Sequence, residues 1–233
     1  MSYSPTLGRW LEEDPEGYVN GANHYQTDLS NPVALVDPMG LQATQPSLPV
    51  FKGFEGDRYQ QHDALINELV ADFNAHKDKY CGCTDKQKGG VSNLDPAMVK
   101  AWLIQESGGN TDQDKAAWNT DPAQVNVPGD WNPYKGDIGL KQPKQRNEGD
   151  LRTNLMAALK YLCRKGFGSS GQPARNRPNG FFDDWRTALE RYNGRTQNTT
   201  NGNPYDKNYA GRIWDRYQNP GIYYPIELPA PGK

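Results

Sequence analysis

DPAMVKAWLIQESGG, residues 95–109, is a helix written together with its own start and stop signals. Asp95 is a good N-cap and Pro96 suits the first helical position, where the missing N–H costs nothing. Gly108-Gly109 ends the run. Between these signals Val99, Trp102, Leu103 and Glu106 fall at helical spacing on one face. Glu106 therefore extends an apolar stripe. A carboxyl group placed there loses hydration, which raises its pKa. That is the property a general acid needs near neutral pH. The plainer alternative is a glutamate at a frayed helix end, facing water.

Working outward, the other periodic stretches are also helical. A helix is expected from about residue 57, with Leu65, Ile66, Leu69 and Phe73 on one face. Residues 151–165 carry Leu151, Leu155, Leu159 and Leu162 and end at Gly166. Residues 183–192 carry Trp185, Ala188, Leu189 and Tyr192 and end at Asn193-Gly194. Residues 205–217 carry Tyr209, Ile213 and Tyr217. No period is visible between 110 and 150, which reads as a long irregular insertion and so as a candidate binding region. Gly166–Asn179 (GFGSSGQPARNRPN) reads as a mobile loop. It follows no strand and lacks phosphate-loop spacing. The fold class expected is mostly α.

Composition sets outer bounds. The 233 residues include 24 glycines and 18 prolines, so turns are abundant, and aromatics at 11 % argue against disorder. No apolar run reaches the length of a membrane span. The first residues, MSYSPTLGRW, have neither the basic nor the apolar region of a signal peptide. Charge is unevenly placed: residues 1–41 carry a net −5 and the remainder a net +3. The mildly basic part suits an anionic polymer and is too weak to indicate nucleic acid. Cys81 and Cys83 lie two apart and Cys163 is remote. That spacing is poor for zinc, and no metal or other cofactor is expected. A bridge from either to Cys163 is possible, but Cys163, at helical spacing from Leu155, Met156 and Leu159, reads more readily as a buried free thiol.

The first forty residues have turn signals and aromatics but no helical period, as short strands would. YSPTLGRW (3–10), EDPEGYVNGANHY (13–25) and NPVALVDPMGL (31–41) resemble the end of the Rhs repeat core, the shell of polymorphic toxins. The resemblance implies a short β-rich remnant over 1–41, and residues 42–56 (QATQPSLPVFKGFEG) read as a linker. The resemblance also implies aspartyl-type self-cleavage just after Leu41, using Asp14 and Asp37 of the paired D-P-x-G motifs. Two carboxylates held together cannot both ionise easily, so one keeps a proton and can act as an acid.

WLIQESGGNTD (102–112) resembles the catalytic helix of the soluble lytic transglycosylases and goose-type lysozymes, in which a Glu-Ser pair closes the first core helix. The family's Gln-bearing turn is matched by DPAQVN (121–126), and GLKQ (139–142) spells the motif better but lies too far on. TNLMAALKYL (153–162) resembles the intervening helix and WRTALERYNGR (185–195) the final aromatic-Asn element. The resemblance implies an α+β lysozyme-like domain over 57–233. It implies Glu106 as the catalytic acid and Tyr192 as its hydrogen-bond partner. Ser107, Gln124, Asn126 and Asn193 become substrate-binding candidates. Trp131 and Tyr134, with Trp118 and less so Trp214, are candidate sugar platforms, because sugar faces stack on rings.

Retaining and inverting glycosidases need a second carboxylate. Asp121 is the first candidate, with Asp112 and Asp114 behind it. Asn126 stands where the goose-type enzymes often carry Asp, which tilts the expectation toward a lytic transglycosylase. There one Glu acts as acid then base, and the sugar's 6-hydroxyl closes a 1,6-anhydro ring. A muramidase and a non-catalytic wall-binding module are the alternatives. The substrate implied is the β-1,4 bond between N-acetylmuramic acid and N-acetylglucosamine in peptidoglycan. The partners implied are the Rhs shell and a cognate immunity protein. The setting implied is delivery by a contact-dependent system such as type VI secretion, with action in the periplasm of a target bacterium.

Overall fold

The computed structural model describes residues 3–4, 9–10, 57–168, 173–177, 180–194 and 197–219. The chain divides into two units, residues 1–50 and 51–233. In the first, β1 (Tyr3–Ser4) pairs antiparallel with β2 (Arg9–Trp10), Tyr3 opposite Trp10. The rest of the Rhs-like stretch, including Asp14, Asp37 and Leu41, and the 42–56 linker lie outside the described residues.

The second unit is built from α1 (Asp57–Gln60), α2 (Asp63–Cys81), α3 (Pro96–Ser107), α4 (Asp112–Thr120), α5 (Pro133–Asp137), α6 (Leu151–Gly166), α7 (Trp185–Asn193) and α8 (Tyr205–Gln218). No helix among the described residues is long and apolar enough to cross a membrane. The mostly α expectation holds for this unit.

α3 is its axis. Asp95 caps it, accepting from the Ala97 N–H at 2.8 Å, with Pro96 at N1. Met98, Val99, Ala101, Trp102, Leu103 and Ile104 are all buried, so α3 is internal rather than striped on one face. Lys100 is the exception that explains itself: its buried ammonium lies 2.9 Å from Asp63 Oδ2, in the first turn of α2. α2 and α8 pack against α3, α6 lies against α2 and α7, and α7 against α8. Phe73 of α2 meets Trp185 of α7 edge-on at 6.0 Å.

Three expectations are corrected here. Cys163 is not a free thiol: it is disulfide-bonded to Cys81, with Cα atoms 5.6 Å apart, joining the end of α2 to α6. Gly82 sets this up. It takes the left-handed conformation at φ 70°, turning the chain just after Cys81. Cys83 is the free cysteine among the described residues, and burial, reinforced by Asp78, pushes its thiol up to about 11. A thiol so raised is mostly protonated near neutral pH.

Residues 110–150 are not uniformly irregular. α4 begins at a capping box in which Thr111 and Asp114 satisfy each other's backbone N–H groups. Only Ala117 and Trp118 of α4 are buried, so its sequence shows no period. The Gly-rich stretch after α6 is also anchored where described. Gln87 is buried and donates to the carbonyls of Ala174, Arg177 and Gly180 at 3.2, 2.8 and 2.8 Å.

Candidate active site

The C-terminal end of α3 delivers Glu106 to the wall of an open cleft of about 140 Å³. Gly108 caps the helix at a position that admits no side chain: a Cβ there would lie 2.4 Å from the Ile104 carbonyl oxygen. Tyr59 of α1 fixes the turn by donating to the Gly108 carbonyl at 2.7 Å. Gln124 enters the cleft from the loop after α4, and Asp130 and Lys135 from the next turn and α5. Tyr161 comes from α6, and Tyr192 and Asn193 from the end of α7.

The Gln-bearing turn is held by Asp121. This buried carboxylate accepts from the backbone N–H groups of Val125 and Asn126 at 3.0 and 2.8 Å. Burial raises its pKa, opposed by those two N–H groups and by Lys135. Gln124 itself sits at φ 53°, a left-handed position reached because the turn closes with its N–H on the Asp121 carbonyl at 2.9 Å. Ser107 ties this turn to α3. Its buried hydroxyl lies 2.9 Å from the Pro122 carbonyl and 3.1 Å from that of Leu103.

Glu106 Oε1 accepts a hydrogen bond from the phenol of Tyr209 on α8. Burial and the adjacent Glu106 charge hold that phenol's pKa well above its ordinary value. Tyr192 is raised the same way, by burial first and Glu106 next. Its hydroxyl donates elsewhere, to the Ala123 carbonyl at 2.9 Å. Its ring stands edge-on to Trp102 at 4.8 Å and to Tyr161 at 5.9 Å. The expected Tyr192–Glu106 hydrogen bond is thus replaced by Tyr209–Glu106. Tyr192 instead locks α7 to the Gln-bearing turn.

Of the residues expected at the site, Glu106, Gln124, Tyr192 and Asn193 line one cleft. Asn193 Oδ1 is buried without a hydrogen-bond partner among the described residues, an acceptor suited to a ligand hydroxyl. The others stand elsewhere. Ser107, Asp121 and Asn126 are buried behind the cleft, where they brace its turn. Asp121 is therefore not a second carboxylate facing the cleft. Asp114 caps α4, and Asp112 is exposed. Trp118 is core, stacked on His62 at 5.5 Å. Trp131 and Tyr134 are half-buried and outside the cleft lining, and Trp214 packs edge-on to Tyr217 at 5.5 Å. In GLKQ, Leu140 is a core residue.

Four site residues escaped the sequence reading. Tyr209 was legible only as an apolar-stripe position of α8. Tyr161 stands on α6 beside the Leu155, Leu159 and Leu162 stripe, and no motif marks it. Asp130 and Lys135 lie in the stretch that has no period, and only their pairing across a turn, at 2.8 Å, marks them.

The arrangement presents a half-buried carboxyl group with a buried phenol behind it. If Glu106 gives up a proton, Tyr209 stabilises the carboxylate left behind. Removing a hydrogen bond to a charged group costs about 1.5–3 kcal/mol, against about 1 kcal/mol for a neutral one. Tyr209→Phe is therefore expected to slow turnover about ten- to a hundredfold, and Tyr192→Phe by less than about tenfold. Parallel kinetics on the two variants check this ranking, and the reverse order would reassign the roles.

No family model matches the chain, and no solved structure matches it. Among curated proteins, the chain is similar to "Toxin subunit YenC2" of Yersinia entomophaga. The two are 49 % identical over 39 residues, 17 % of this chain and 4 % of that protein. It is 46 % identical to "Toxin subunit YenC1" of the same organism, again over 39 residues, 17 % of this chain and 4 % of the relative. It is 39 % identical over 72 residues to "Double-stranded DNA deaminase toxin A" of Burkholderia cenocepacia (strain H111), 27 % of this chain and 5 % of that protein. The chain spans about a twentieth of the length of these relatives, and what it shares with each is a stretch of 39 to 72 residues.

Proposed function

We propose that residues 57–233 cleave the glycan strands of peptidoglycan, with Glu106 as the acid that protonates the glycosidic oxygen. The observation that carries this reading is the cleft itself. It gathers Glu106, Gln124, Tyr192 and Asn193 in the chain order that resembles the transglycosylase and goose-type lysozyme elements, with a buried phenol on the carboxyl group. Two outcomes share this chemistry: closure of a 1,6-anhydro ring, as in lytic transglycosylases, or hydrolysis, as in muramidases.

Residues 1–41 belong, in this reading, to an Rhs shell that self-cleaves through Asp14 and Asp37 after Leu41 and delivers the toxin by contact. The short similarity to toxin subunits supports that origin. The Cys81–Cys163 bridge supports action in an oxidising compartment, where disulfides persist. The periplasm of a target bacterium is such a compartment. A cognate immunity protein, protecting sister cells, would cover the Glu106 cleft.

Location of killing tests the proposal. Expression of residues 42–233 in the cytoplasm is expected to be tolerated, while the same segment behind a secretory signal lyses the host. Killing from the cytoplasm without lysis would contradict it and point to an intracellular target.

A further inference from the structure

We infer that Asp130, held in place by Lys135, is the second catalytic carboxylate of the cleft, and that it directs the reaction to hydrolysis. This inference rests on the glycosidase reading of the same cleft and deepens it.

Among the described residues, Asp130 is the other carboxylate lining the cleft that contains Glu106. It was not among the expected candidates, because it follows the Gln-bearing turn by several residues and belongs to a short 3-10 turn, Pro128–Asp130. Its side chain is 73 % exposed, whereas that of its partner Lys135 is 0 % exposed. The Lys135 ammonium lies 2.8 Å from Asp130 Oδ2 and 5.5 Å from the centre of the Tyr161 ring. The Lys165 ammonium stands 5.2 Å from that same ring. Burial lowers the Lys165 pKa, and the charge of Asp130 acts to raise it.

Burying an ammonium group is costly, and an apolar side chain fills such a position at least as stably. What the pair provides that an apolar residue cannot is a fixed carboxylate at the cleft. One oxygen, Oδ2, is held by Lys135, which leaves Oδ1 for a further hydrogen bond. α5 anchors Lys135 at both sides of its own peptide. Its N–H donates to the Asn132 carbonyl at 3.0 Å, and its carbonyl accepts from Leu140 N–H at 3.1 Å. Leu140 is in turn a core residue. The carboxylate is thus positioned from the core outward, as a reacting group requires.

A fixed carboxylate sharing a cleft with a carboxylic acid is the constellation that hydrolysis uses. The sugar C1–O bond breaks as Glu106 transfers its proton to the departing oxygen. A water oxygen forms the new bond to C1, and its proton passes to Asp130. The products are a free hydroxyl on one sugar and a reducing end on the other. Glu106 is left ionised and Asp130 protonated, and exchange with solvent restores both. Ring closure needs no water, because the sugar's own hydroxyl supplies the oxygen. Lys135 touches neither water nor sugar in this scheme and is a positioning residue.

The test is mass spectrometry of purified sacculi digested by the full chain in ¹⁸O-labelled water. The wild-type protein is expected to give reducing ends carrying the label. In Asp130→Asn, labelled reducing ends are expected to fall at least about 100-fold, with circular dichroism showing a retained fold and a lowered melting temperature, because the buried Lys135 ammonium loses its charged partner. The double variant Asp130→Asn with Lys135→Met, which removes the buried charge together with its partner, serves if the Asn variant does not fold. For Lys135→Gln, the expected result is a fall in labelled ends relative to anhydro ends. A purely structural role would lower both products together and leave their ratio fixed. Anhydro ends alone from the wild type, or undiminished labelled ends from a folded Asp130 variant, would overturn the assignment and leave glycan cleavage standing. No cleavage at all by folded wild-type protein would remove the glycosidase reading, and this inference with it.

Discussion

Glu106→Gln is expected to abolish wall cleavage, with clearing of cell-wall suspensions slowed by at least about 100-fold, the usual worth of a positioned acid. The substitution is close to isosteric. The amide oxygen keeps an acceptor for the Tyr209 phenol, and the surrounding α3 residues Trp102 and Leu103 are unaffected. The melting temperature should therefore stay near that of the wild type. What is lost is one ionisable proton. A folded Glu106→Gln protein that clears wall material at the wild-type rate would show that the carboxyl group at the end of α3 is an ordinary helix-end glutamate.

The second large effect concerns stability. The Cys81–Cys163 bridge spans 82 residues of chain. A loop of that size removes enough freedom from the unfolded chain to contribute about 4 kcal/mol, in the chain-entropy account. For a domain of this length each kilocalorie shifts melting by about 2–4 °C. Cys163→Ser, or reduction of the wild-type protein, is thus expected to lower the melting temperature by about 8–16 °C. The consequence reaches the cleft, because Tyr161 sits two residues before Cys163 on α6. Cys83→Ser should be nearly silent, since that thiol is unbridged and stays protonated. Calorimetry with and without reductant measures all three. An unchanged melting temperature in Cys163→Ser would show that helix packing alone fixes α2 against α6.

These effects trace back to features of unequal legibility. α3 was readable because Asp95-Pro96 and Gly108-Gly109 are local signals acting through the backbone of their own helix. α6, α7 and α8 were readable because α6 and α8 each turn an apolar face to α7. α4 was not: Thr111 and Asp114 start it correctly, but two buried residues make no period. The bridge was ambiguous for a related reason. Cys163 sits on a buried helical stripe whether or not Cys81 lies opposite, and only the packing of α2 on α6 brings the two sulfurs together.

The site shows the same division. Glu106, Gln124, Tyr192 and Asn193 stand at helix ends and turns, where a sequence motif and a position in space coincide. Tyr209 is 103 residues from Glu106 along the chain, and its phenol reaches the carboxyl group only because α8 packs on α3. Asp121 and Ser107 were misplaced by proximity in sequence. Both are buried because they satisfy the backbone of the turn that presents Gln124. An acid beside a motif is as often its scaffold as its chemistry, and what separates the two here is which groups the carboxylate already holds.

The most direct test of glycan cleavage is the identity of the soluble fragments that the wild-type protein releases from purified peptidoglycan sacculi. Separated and weighed by mass spectrometry, they should be disaccharide-peptides with newly formed muramic acid ends, and they should be absent from the Glu106→Gln digest. Sacculi that remain intact, or that release only peptides while their glycan strands stay whole, would contradict the account.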